Sequence, residues 1–428
     1  MALGVAVPGV AIGLLHPDLP HPAEALLFGL AIVGAAFLLS WAAEVAQLDI
    51  SAGLAIALLA LIAVLPEYAV DFVFASKGGT SVQRFGASCP PLEGGSESPC
   101  SLALANMTGA NRLLIGIGWS MVIFVAWYRV RVARRREGLA PERWEGVRLG
   151  RDHSIELAYL AVATIYSLTL PLKHSITLVD AVILVGIFAA YTWRISRAPA
   201  EEPHLVGPAQ YLGTLSARAR RTTIVLLFVG AAAIILLCAE PFAESLVASG
   251  EAVGISEFLL VQWLAPLASE APELLVAGLY AWRLNTNAGL GTLVSSKVNQ
   301  WTLLVGTLPI VFAISSASLH GLPIEPRQRE ELFLTAAQSF FALAVLSNLT
   351  MSVREAWLLF GLFWAQFAVG AVLPQDLHAA SRIGVGAVYL AGGVWILARD
   401  RQRLPRLFRD GFRASYEELA ERDPASSG

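Results

Sequence analysis

The chain has 428 residues, 56% of them hydrophobic and 15% charged, and its formal net charge is −3. This composition, with a mean hydropathy of +0.62, excludes an ordinary soluble protein of this length. It predicts an all-α polytopic membrane protein that is surrounded by a lipid bilayer. No basic surface or nucleic-acid motif is present in the sequence, so a nucleic-acid partner is not expected.

The first residues, 1–23, precede the predicted membrane spans. The apolar run from Ala2 to Leu15 is shorter than the roughly 20 residues that a bilayer requires, and no positive charge leads it. We therefore expect an interfacial segment or an extra helix there. Eleven candidate spans follow, at residues 25–47, 51–75, 101–128, 155–172, 176–195, 223–248, 256–282, 290–314, 332–350, 354–373 and 382–398.

Basic residues concentrate in alternate loops, which the positive-inside rule assigns to the cytoplasm. This predicts an external N-terminus, a cytoplasmic linker at 196–222, and a C-terminal region, 374–428, made of an extra span and a basic cytoplasmic tail. The expected location is the plasma membrane, or the inner membrane in a bacterium. The arginines concerned are Arg129, Arg131, Arg134, Arg135, Arg136, Arg143, Arg148, Arg151, Arg197, Arg218, Arg220, Arg221, Arg399, Arg401, Arg403, Arg406, Arg409 and Arg413.

The three cysteines show none of the spacings of a metal site. Cys89 and Cys100 flank a loop that the predicted topology places outside, where they form either a disulfide or two separate thiols. Cys238 lies in an apolar run and is expected in the core. All histidines fall in loops or at span ends, so no histidine metal centre is expected inside the membrane.

Two acidic phrases lie inside the apolar runs, Leu65-Pro66-Glu67-Tyr68 and Ser269-Glu270-Ala271-Pro272-Glu273-Leu274. A carboxylate at membrane depth is costly and usually belongs to an ion or proton path. The proline in each phrase removes a backbone donor, so we expect the helix to break or kink there. Carbonyl groups released beside a carboxylate would form an oxygen-lined site for a hard cation.

The two halves of the sequence repeat each other in opposite membrane orientations. Glu67 aligns with Glu273 at an offset of 206, and Ala110 aligns with Ser296 at an offset of 186. The difference places an insertion in the first half, at the cysteine loop. Inverted repeats that meet at the midplane are typical of secondary transporters. They divide the chain into a first half at 24–195 and a second half at 223–373.

These motifs resemble the paired repeats of the calcium/cation antiporter superfamily, the membrane region of sodium/calcium exchangers. The family's repeat reads approximately Gly-Thr-Ser-x-Pro-Glu-Leu, then Gly-Ser-Asn-x-x-Asn and Leu-Leu-Val-x-Gly. The resemblance implies two inverted five-helix repeats with broken helices. It also implies Glu67 and Glu273 as central cation ligands, Ser269 and Ser296 as supporting oxygens, and an amide oxygen from Gln300, with Asn111 and Asn299 in the second motifs.

The sequence departs from the family pattern where it places Arg112 and Lys297 in the second motifs. A fixed positive charge beside the carboxylates weakens a divalent site, which favours sodium, potassium or proton coupling over calcium. Asp71 and Glu270 give each repeat a second acid near the first, a workable basis for proton coupling. The alternative is that these two acids form structural ion pairs with Lys297 or Arg112.

The sequence therefore predicts a secondary active cation antiporter, exchanging sodium, protons or calcium by alternating access through paired glutamates. Its expected partners are inorganic cations, and no cofactor is expected. Two alternatives remain: a membrane sensor or scaffold of the same fold that no longer transports, and an intramembrane enzyme. The enzyme has little motif support, because neither Gly-x-Ser-x-Gly nor His-Glu-x-x-His is present. The sequence gives no indication of oligomeric state.

Overall fold

The computed structural model describes residues 2–15, 17–49, 65–86, 89–92, 96–137, 144, 146–198, 205, 207–253 and 256–421. The first part of the predicted second span, 51–64, lies outside these residues, as does the carbonyl group expected to be released by Pro66. The predicted all-α polytopic fold is confirmed, because almost every described segment is helical.

The helices are named in chain order. The α-helices are α1 Ala2–Leu15, α2 His21–Ala46, α3 Leu65–Phe85, α4 Pro99–Leu113, α5 Ser120–Arg136, α6 Ser154–Ser167, α7 Leu178–Ile195, α8 Pro208–Gly213, α9 Ala217–Val253, α10 Glu257–Leu259, α11 Ala265–Trp282, α12 Thr286–Asn299, α13 Val305–Ser316, α14 Pro326–Leu346, α15 Val353–Val372, α16 His378–Arg399, α17 Arg403–Phe412 and α18 Tyr416–Glu421. The 3₁₀ helices are Arg151–His153, Leu170–Leu172 and Gln375–Leu377.

Among the described residues, 7 helical segments are long and apolar enough to cross a bilayer. They correspond to seven of the eleven predicted spans. The described parts of the remaining predicted spans are mainly helical, in α3, in α10 to α11, in α14 and in α15, although the predicted span 332–350 ends in a turn and in the first residue of a strand, Thr350. The seven segments are His21–Ala46, Pro99–Arg136, Arg151–Leu172, Leu178–Ile195, Ala217–Leu246, Thr286–Ser316 and His378–Arg399.

In the described part of the chain, three π-helical segments interrupt the α-helices: π1 Leu114–Trp119, π2 Leu260–Leu264 and π3 Gln300–Leu304. The starts of π1 and π3 are separated by 186 residues, the same offset that aligns Ala110 with Ser296. The two halves therefore repeat in backbone geometry as well as in sequence. Single π turns inside helices are frequent at functional sites.

The chain divides into two compact units. Unit 1 contains residues 1–110, 175–272 and 303–324, and unit 2 contains 111–174, 273–302 and 325–428. Each unit thus takes segments from both sequence halves. This division differs from the one based on repeats, whose boundaries stay a prediction.

In unit 1, α2 packs along α9 through small and branched side chains. Ala35, Leu39 and Ala42 of α2 are almost fully buried, as are Ala231 and Ile235 of α9. Small residues let helices approach closely in a membrane. The predicted extra helix at the N-terminus also forms, since α1 packs against α2.

In unit 2, large aromatic side chains fill the core around the second motifs. Trp119, Trp301 and Phe363 are fully or almost fully buried, and Nε1 of Trp301 donates a 2.8 Å hydrogen bond to Oγ of Ser339. A Cβ atom at Gly116 would lie 2.4 Å from the ring of Phe363, so only glycine permits this contact. The motif helices are therefore held by close packing.

Each unit also contains one short antiparallel strand pair. β2 Ser175–Ile176 pairs with β3 Leu322–Pro323 in unit 1, and β1 Val147–Arg148 pairs with β4 Thr350–Met351 in unit 2. Cys89 and Cys100 form a disulfide in unit 1, which decides between the two alternatives left by the sequence. Cys238 is buried as expected.

Candidate cation site

Two buried acids lie one turn apart on α3 in unit 1. Glu67 is 3% exposed and Asp71 is fully buried. Nδ2 of Asn106, on α4, donates a 2.7 Å hydrogen bond to Oδ1 of Asp71. The other carboxylate oxygen, Oδ2, accepts no hydrogen bond from the part of the chain that the structure describes. Asp71 therefore presents one oxygen that can serve a ligand.

Glu270 of α11 is a third buried acid of unit 1, with 2% of its surface exposed. Its carboxylate lies within electrostatic range of the carboxylate of Asp71. Asp71 follows the Pro-Glu pair of the first repeat, and Glu270 precedes that of the second. Unit 1 thus brings together one acid from each repeat. Two buried negative charges repel each other, and binding a proton or a cation relieves that repulsion.

Glu273 follows Glu270 by three residues on α11 and is partly buried. It belongs to unit 2, whereas Glu67 belongs to unit 1, so the meeting of these two glutamates stays a prediction. Ser269 is 4% exposed, and its hydroxyl donates within its own helix, to the carbonyl oxygens of Ala265 and Pro266 at 3.3 and 3.2 Å. Its oxygen can still accept a bond or contact a cation.

The expected helix break at Pro272 is absent. Helix α11 continues from Ala265 to Trp282, and the irregular backbone lies just before it, in π2. A membrane helix tolerates proline when local π or 3₁₀ adjustments and neighbouring helices satisfy the backbone groups that it releases. The predicted break at Pro272 is therefore wrong, and a kink of α11 at this proline stays a prediction.

In unit 2, the second motifs of the two repeats meet through Lys297 and Asn111. Lys297 is fully buried, and its Nζ atom donates to the backbone oxygen and to Oδ1 of Asn111 at 2.5 and 2.6 Å. The ring of Trp301 lies 5.5 Å from the same nitrogen, measured to its centroid. A predicted modulating residue of one repeat thus bonds to its repeat equivalent in the other.

Arg112, the other unexpected cation, forms an ion pair with a residue that the sequence analysis did not single out. Its Nη2 atom lies 2.8 Å from Oε2 of Glu331 on α14, and both residues are almost fully buried. Glu331 also lies 3.7 Å from Nε of Arg382 on α16, the extra helix. Asp71 accepts a hydrogen bond from Asn106, and the alternative pairing of Asp71 or Glu270 with Arg112 or Lys297 stays a prediction.

The remaining predicted residues lie at the end of α12 and the start of π3. Asn299 is 4% exposed, Gln300 is fully buried, and Ser296 is partly buried. All three belong to unit 2. Their shared position at a π-helical junction makes them suitable supporting ligands, which stays a prediction.

The sequence analysis missed one functional candidate, Asn106, and one buried structural acid, Glu257. Asn106, which holds Asp71, could have been noticed as a polar residue well inside an apolar span. Glu257 is 2% exposed and accepts hydrogen bonds of 3.1 Å from the backbone N–H groups of Ser96 and Glu97. It fixes the loop that precedes α4, so its role in the structure is to support that helix.

Within the described residues, no group of three or more histidine, cysteine, aspartate or glutamate side chains is arranged to hold a metal ion. The buried acids described above in unit 1 are Glu67 and Asp71, one turn apart on α3, and Glu270 on α11, which is in electrostatic range of Asp71. A transported cation would be substrate at such a site, and it would need further oxygens to complete its coordination.

The profile of the family described as "Sodium/calcium exchanger protein" matches residues 24–196 and 223–369. No curated protein sequence matches the chain significantly. The crystal structure of the H+/Ca2+ exchanger CAX matches with a TM-score of 0.84 and 39% identity, covering 98% of this chain and 97% of that one.

Two more distant structures share the fold. Native YfkE has a TM-score of 0.60 at 12% identity, covering 91% of this chain and 100% of that one. The sodium-calcium exchanger NCX_Mj has a TM-score of 0.50 at 15% identity, covering 83% and 99%. The family and these structures are exchangers rather than enzymes. The chain therefore belongs to the sodium/calcium exchanger protein family and is an integral membrane cation exchanger of the calcium/cation antiporter superfamily.

Proposed function

We propose that this exchanger moves calcium against protons by alternating access, with Glu67, Asp71, Glu270 and Glu273 as its cation ligands. The observation that carries the proposal is the pair of buried acids, Asp71 and Glu270, one from each repeat, within electrostatic range of each other. Carboxylate oxygens are the ligands that calcium prefers in proteins. Inverted repeats supply the two access states.

Similarity supports this choice of ions. The structure with 39% identity over 98% of the chain is described as an H+/Ca2+ exchanger. The sequence argument against calcium was the positive charge of Arg112 and Lys297 in the second motifs. The charge of Arg112 is balanced by Glu331, and the ammonium of Lys297 is bonded by two oxygens of Asn111. Both positive charges of the second motifs are thus compensated, at least in part, by oxygens within unit 2.

In this proposal, calcium and protons compete for the same carboxylate oxygens, and this competition couples the transport of one to the transport of the other. Two ionised carboxylates in a buried pair are stable only when their charge is balanced. A calcium ion balances both at once, and protons balance them individually. Because protons and calcium then exclude each other, the site crosses between its access states loaded with one or the other. Oδ2 of Asp71, which has no hydrogen bond from the described residues, is suited to calcium contact.

The membrane orientation belongs to the same proposal. The disulfide between Cys89 and Cys100 supports an external position for that loop, since disulfides persist in oxidising compartments. The N-terminus then lies outside and the arginine-rich tail lies in the cytoplasm of a plasma membrane or a bacterial inner membrane.

The test is calcium uptake into proteoliposomes driven by an imposed pH gradient. We expect Asp71→Asn, Glu270→Gln, Glu67→Gln and Glu273→Gln each to reduce the initial rate at least about tenfold, because each removes a charge that binds the ion. Glu244→Gln is the matched control, since that side chain is 59% exposed and pairs with Lys77. Normal uptake by the Asp71 and Glu270 variants would refute the proposed site.

A second candidate is a scaffold of the same fold that no longer transports. Lys297 favours it, because a buried lysine in the motif can take the place of a transported ion. A wild-type protein that is folded yet shows no flux under calcium, sodium, potassium or pH gradients would decide for this candidate.

A further inference from the structure

Helix α17 of unit 2 lies where two membrane spans end. The segments Arg151–Leu172 and His378–Arg399 are both long and apolar enough to cross a bilayer. α17 begins four residues after the second segment and packs against α6, the α-helix of the first. The packing is close, because a Cβ atom at Gly411 of α17 would lie 2.4 Å from the Cβ atom of Ala158, near the start of α6. The helix is therefore held at the level where these spans leave the bilayer.

The face of α17 that packs against α6 carries its apolar and acidic side chains. Leu407, Asp410 and Gly411 are all buried. Asp410 is the one acid in the sequence of α17, and its Oδ2 atom accepts a 2.6 Å hydrogen bond from Nη2 of Arg151, just before α6. The contact with α6 thus uses the negative charge of this helix.

The opposite face of α17 carries a stripe of arginines. Arg406, Arg409 and Arg413 follow each other at spacings of three and four residues, which places them on one side of a helix. All three are exposed. The side chain of Arg409 is 60% exposed even though its Nη2 atom lies 3.0 Å from Oδ1 of Asp410. Arg413 directly follows the helix and keeps backbone angles of the right-handed helical region.

Aromatic side chains lie beside this stripe and at the end of the neighbouring span. The rings of Phe408 and Phe412 stack with their centroids 5.8 Å apart, and Phe412 is 40% exposed and contacts Tyr159 of α6. At the end of α16, the guanidinium of Arg399 lies 5.8 Å from the ring centroid of Trp395, which is 63% exposed. Exposed tryptophan next to arginine at a span end is typical of the membrane interface. This second observation places the level of the lipid headgroups close to the start of α17.

We propose that the exposed face of α17 binds the headgroups of anionic phospholipids. Arg406, Arg409 and Arg413 contact the phosphate groups, for which the guanidinium is the best-suited side chain, and Phe412 contacts the upper part of the acyl chains. Helices with a basic polar face and exposed aromatic residues lie in the plane of the interface in this way. In the proposed orientation the surface faces the cytoplasmic leaflet. The inference requires an integral membrane protein and is independent of which ions are exchanged.

Hydrogen exchange of the backbone amides of residues 403–413 tests the proposal on the full-length protein in lipid nanodiscs. One preparation contains phosphatidylcholine alone, and the other is a mixture of phosphatidylcholine and phosphatidylglycerol. A ligand that binds the docked helix slows its local opening. Each basic residue near an anionic surface contributes roughly a fivefold gain in affinity, so exchange in the mixture should be at least about fivefold slower. Because the interaction is electrostatic, high salt should reduce the difference.

Two variants show whether the arginine stripe is responsible. The triple variant Arg406→Gln/Arg409→Gln/Arg413→Gln keeps the side chains that pack against α6, and it should exchange at the same rate in both preparations. The control removes the same amount of charge at exposed arginines of other segments and should keep the slower exchange of the wild type. Its substitutions are Arg84→Gln, Arg283→Gln and Arg354→Gln. Rates are compared between the two lipid preparations within each variant, so a change in the stability of α17 itself does not affect the result.

Equal exchange of the wild type in the two preparations would overturn the proposal, as would equal slowing in the wild type and the triple variant. Glycerol phosphate is added to the phosphatidylcholine nanodiscs in a further arm. If it slows exchange as much as phosphatidylglycerol does, the surface is a site for a soluble anion rather than for lipid. Slowing by polyglutamate but not by phosphatidylglycerol would reject the lipid in favour of an acidic protein partner.

Discussion

The buried ion pair between Arg112 and Glu331 allows a quantitative test of how unit 2 neutralises its motif charge. The two side chains are 0% and 5% exposed, and the Nη2 to Oε2 distance is 2.8 Å. We expect Arg112→Met and Glu331→Gln each to destabilise the folded protein, because each leaves a buried charge with a poorer partner. Breaking such a pair typically costs about 3–5 kcal/mol.

The two substitutions should lower the free energy of unfolding by different amounts. In the Arg112→Met variant, Glu331 still has Arg382 nearby, with the Nε atom of Arg382 3.7 Å from Oε1 of Glu331. The cost of Arg112→Met should therefore lie near the lower end of this range, at about 3 kcal/mol. Removal of Glu331 takes the close acidic partner from a fully buried guanidinium and should approach about 5 kcal/mol. The double variant contains neither charge, so its loss of unfolding free energy should be at least ~2 kcal/mol smaller than the sum of the losses in the two single variants.

Unfolding of the purified protein in detergent, followed at several denaturant concentrations, measures all four free energies of the cycle. Arg403→Met is the control, because its pair with Asp400 is partly exposed, at 25% and 44%, and should contribute less than about 1 kcal/mol. Additive effects of Arg112→Met and Glu331→Gln, within about 0.5 kcal/mol, would refute the reasoning.

Three further predictions follow from other contacts. Asn106→Leu should lower calcium uptake at least about tenfold while the protein stays folded, because Asp71 loses its 2.7 Å donor; unchanged uptake would show that Asn106 does not position it. Reduction of the disulfide between Cys89 and Cys100 opens the covalent loop that restricts the unfolded chain, so the melting temperature should fall. The fall should equal that caused by Cys89→Ala, and a smaller effect of reduction would mean that the bond is inaccessible. Hydrogen bonds from Arg220 hold the pKa of Asp49 at about 2, so Asp49→Asn should cost ~1–2 kcal/mol above about pH 4, and that difference should disappear as the pH falls towards 2; a constant difference would contradict the linkage.

The sequence predicted the membrane class, most of the spans and the family because these depend on local and repeated signals. Apolar runs of bilayer length are visible without any tertiary information, and seven of the eleven predicted spans coincide with long apolar helices. The repeat offset of 186 reappears in the spacing of π1 and π3. The two acidic phrases stood out because buried charge in a span is costly.

The partners of the charged residues were harder to predict. Arg112 pairs with Glu331 and Asp71 bonds to Asn106, contacts that join residues 219 and 35 positions apart in the chain. Helical periodicity places a residue on a face but does not select the helix that packs against that face. The sequence therefore identified the costly charges and left their compensation open.

The proline in the second acidic phrase shows the same limit on a smaller scale. Its ring removes a backbone donor, which is a local property, and from this the sequence predicted a break or kink at the proline itself. Helix α11 nevertheless runs through Pro272, and the π turn lies at Leu260–Leu264. Where a helix gives way depends on which neighbouring segments can satisfy its released groups.

The amino-acid sequence by itself determined that this chain is a membrane protein with two related, oppositely oriented halves. The length of the apolar runs and the internal repeat can both be read directly from the order of the residues. Only the tertiary structure decided that Glu270 lies within electrostatic range of Asp71 and that Lys297 bonds to Asn111. Those pairings are set by the side-chain packing of helices distant in sequence, which fixes where each buried charge finds its balance.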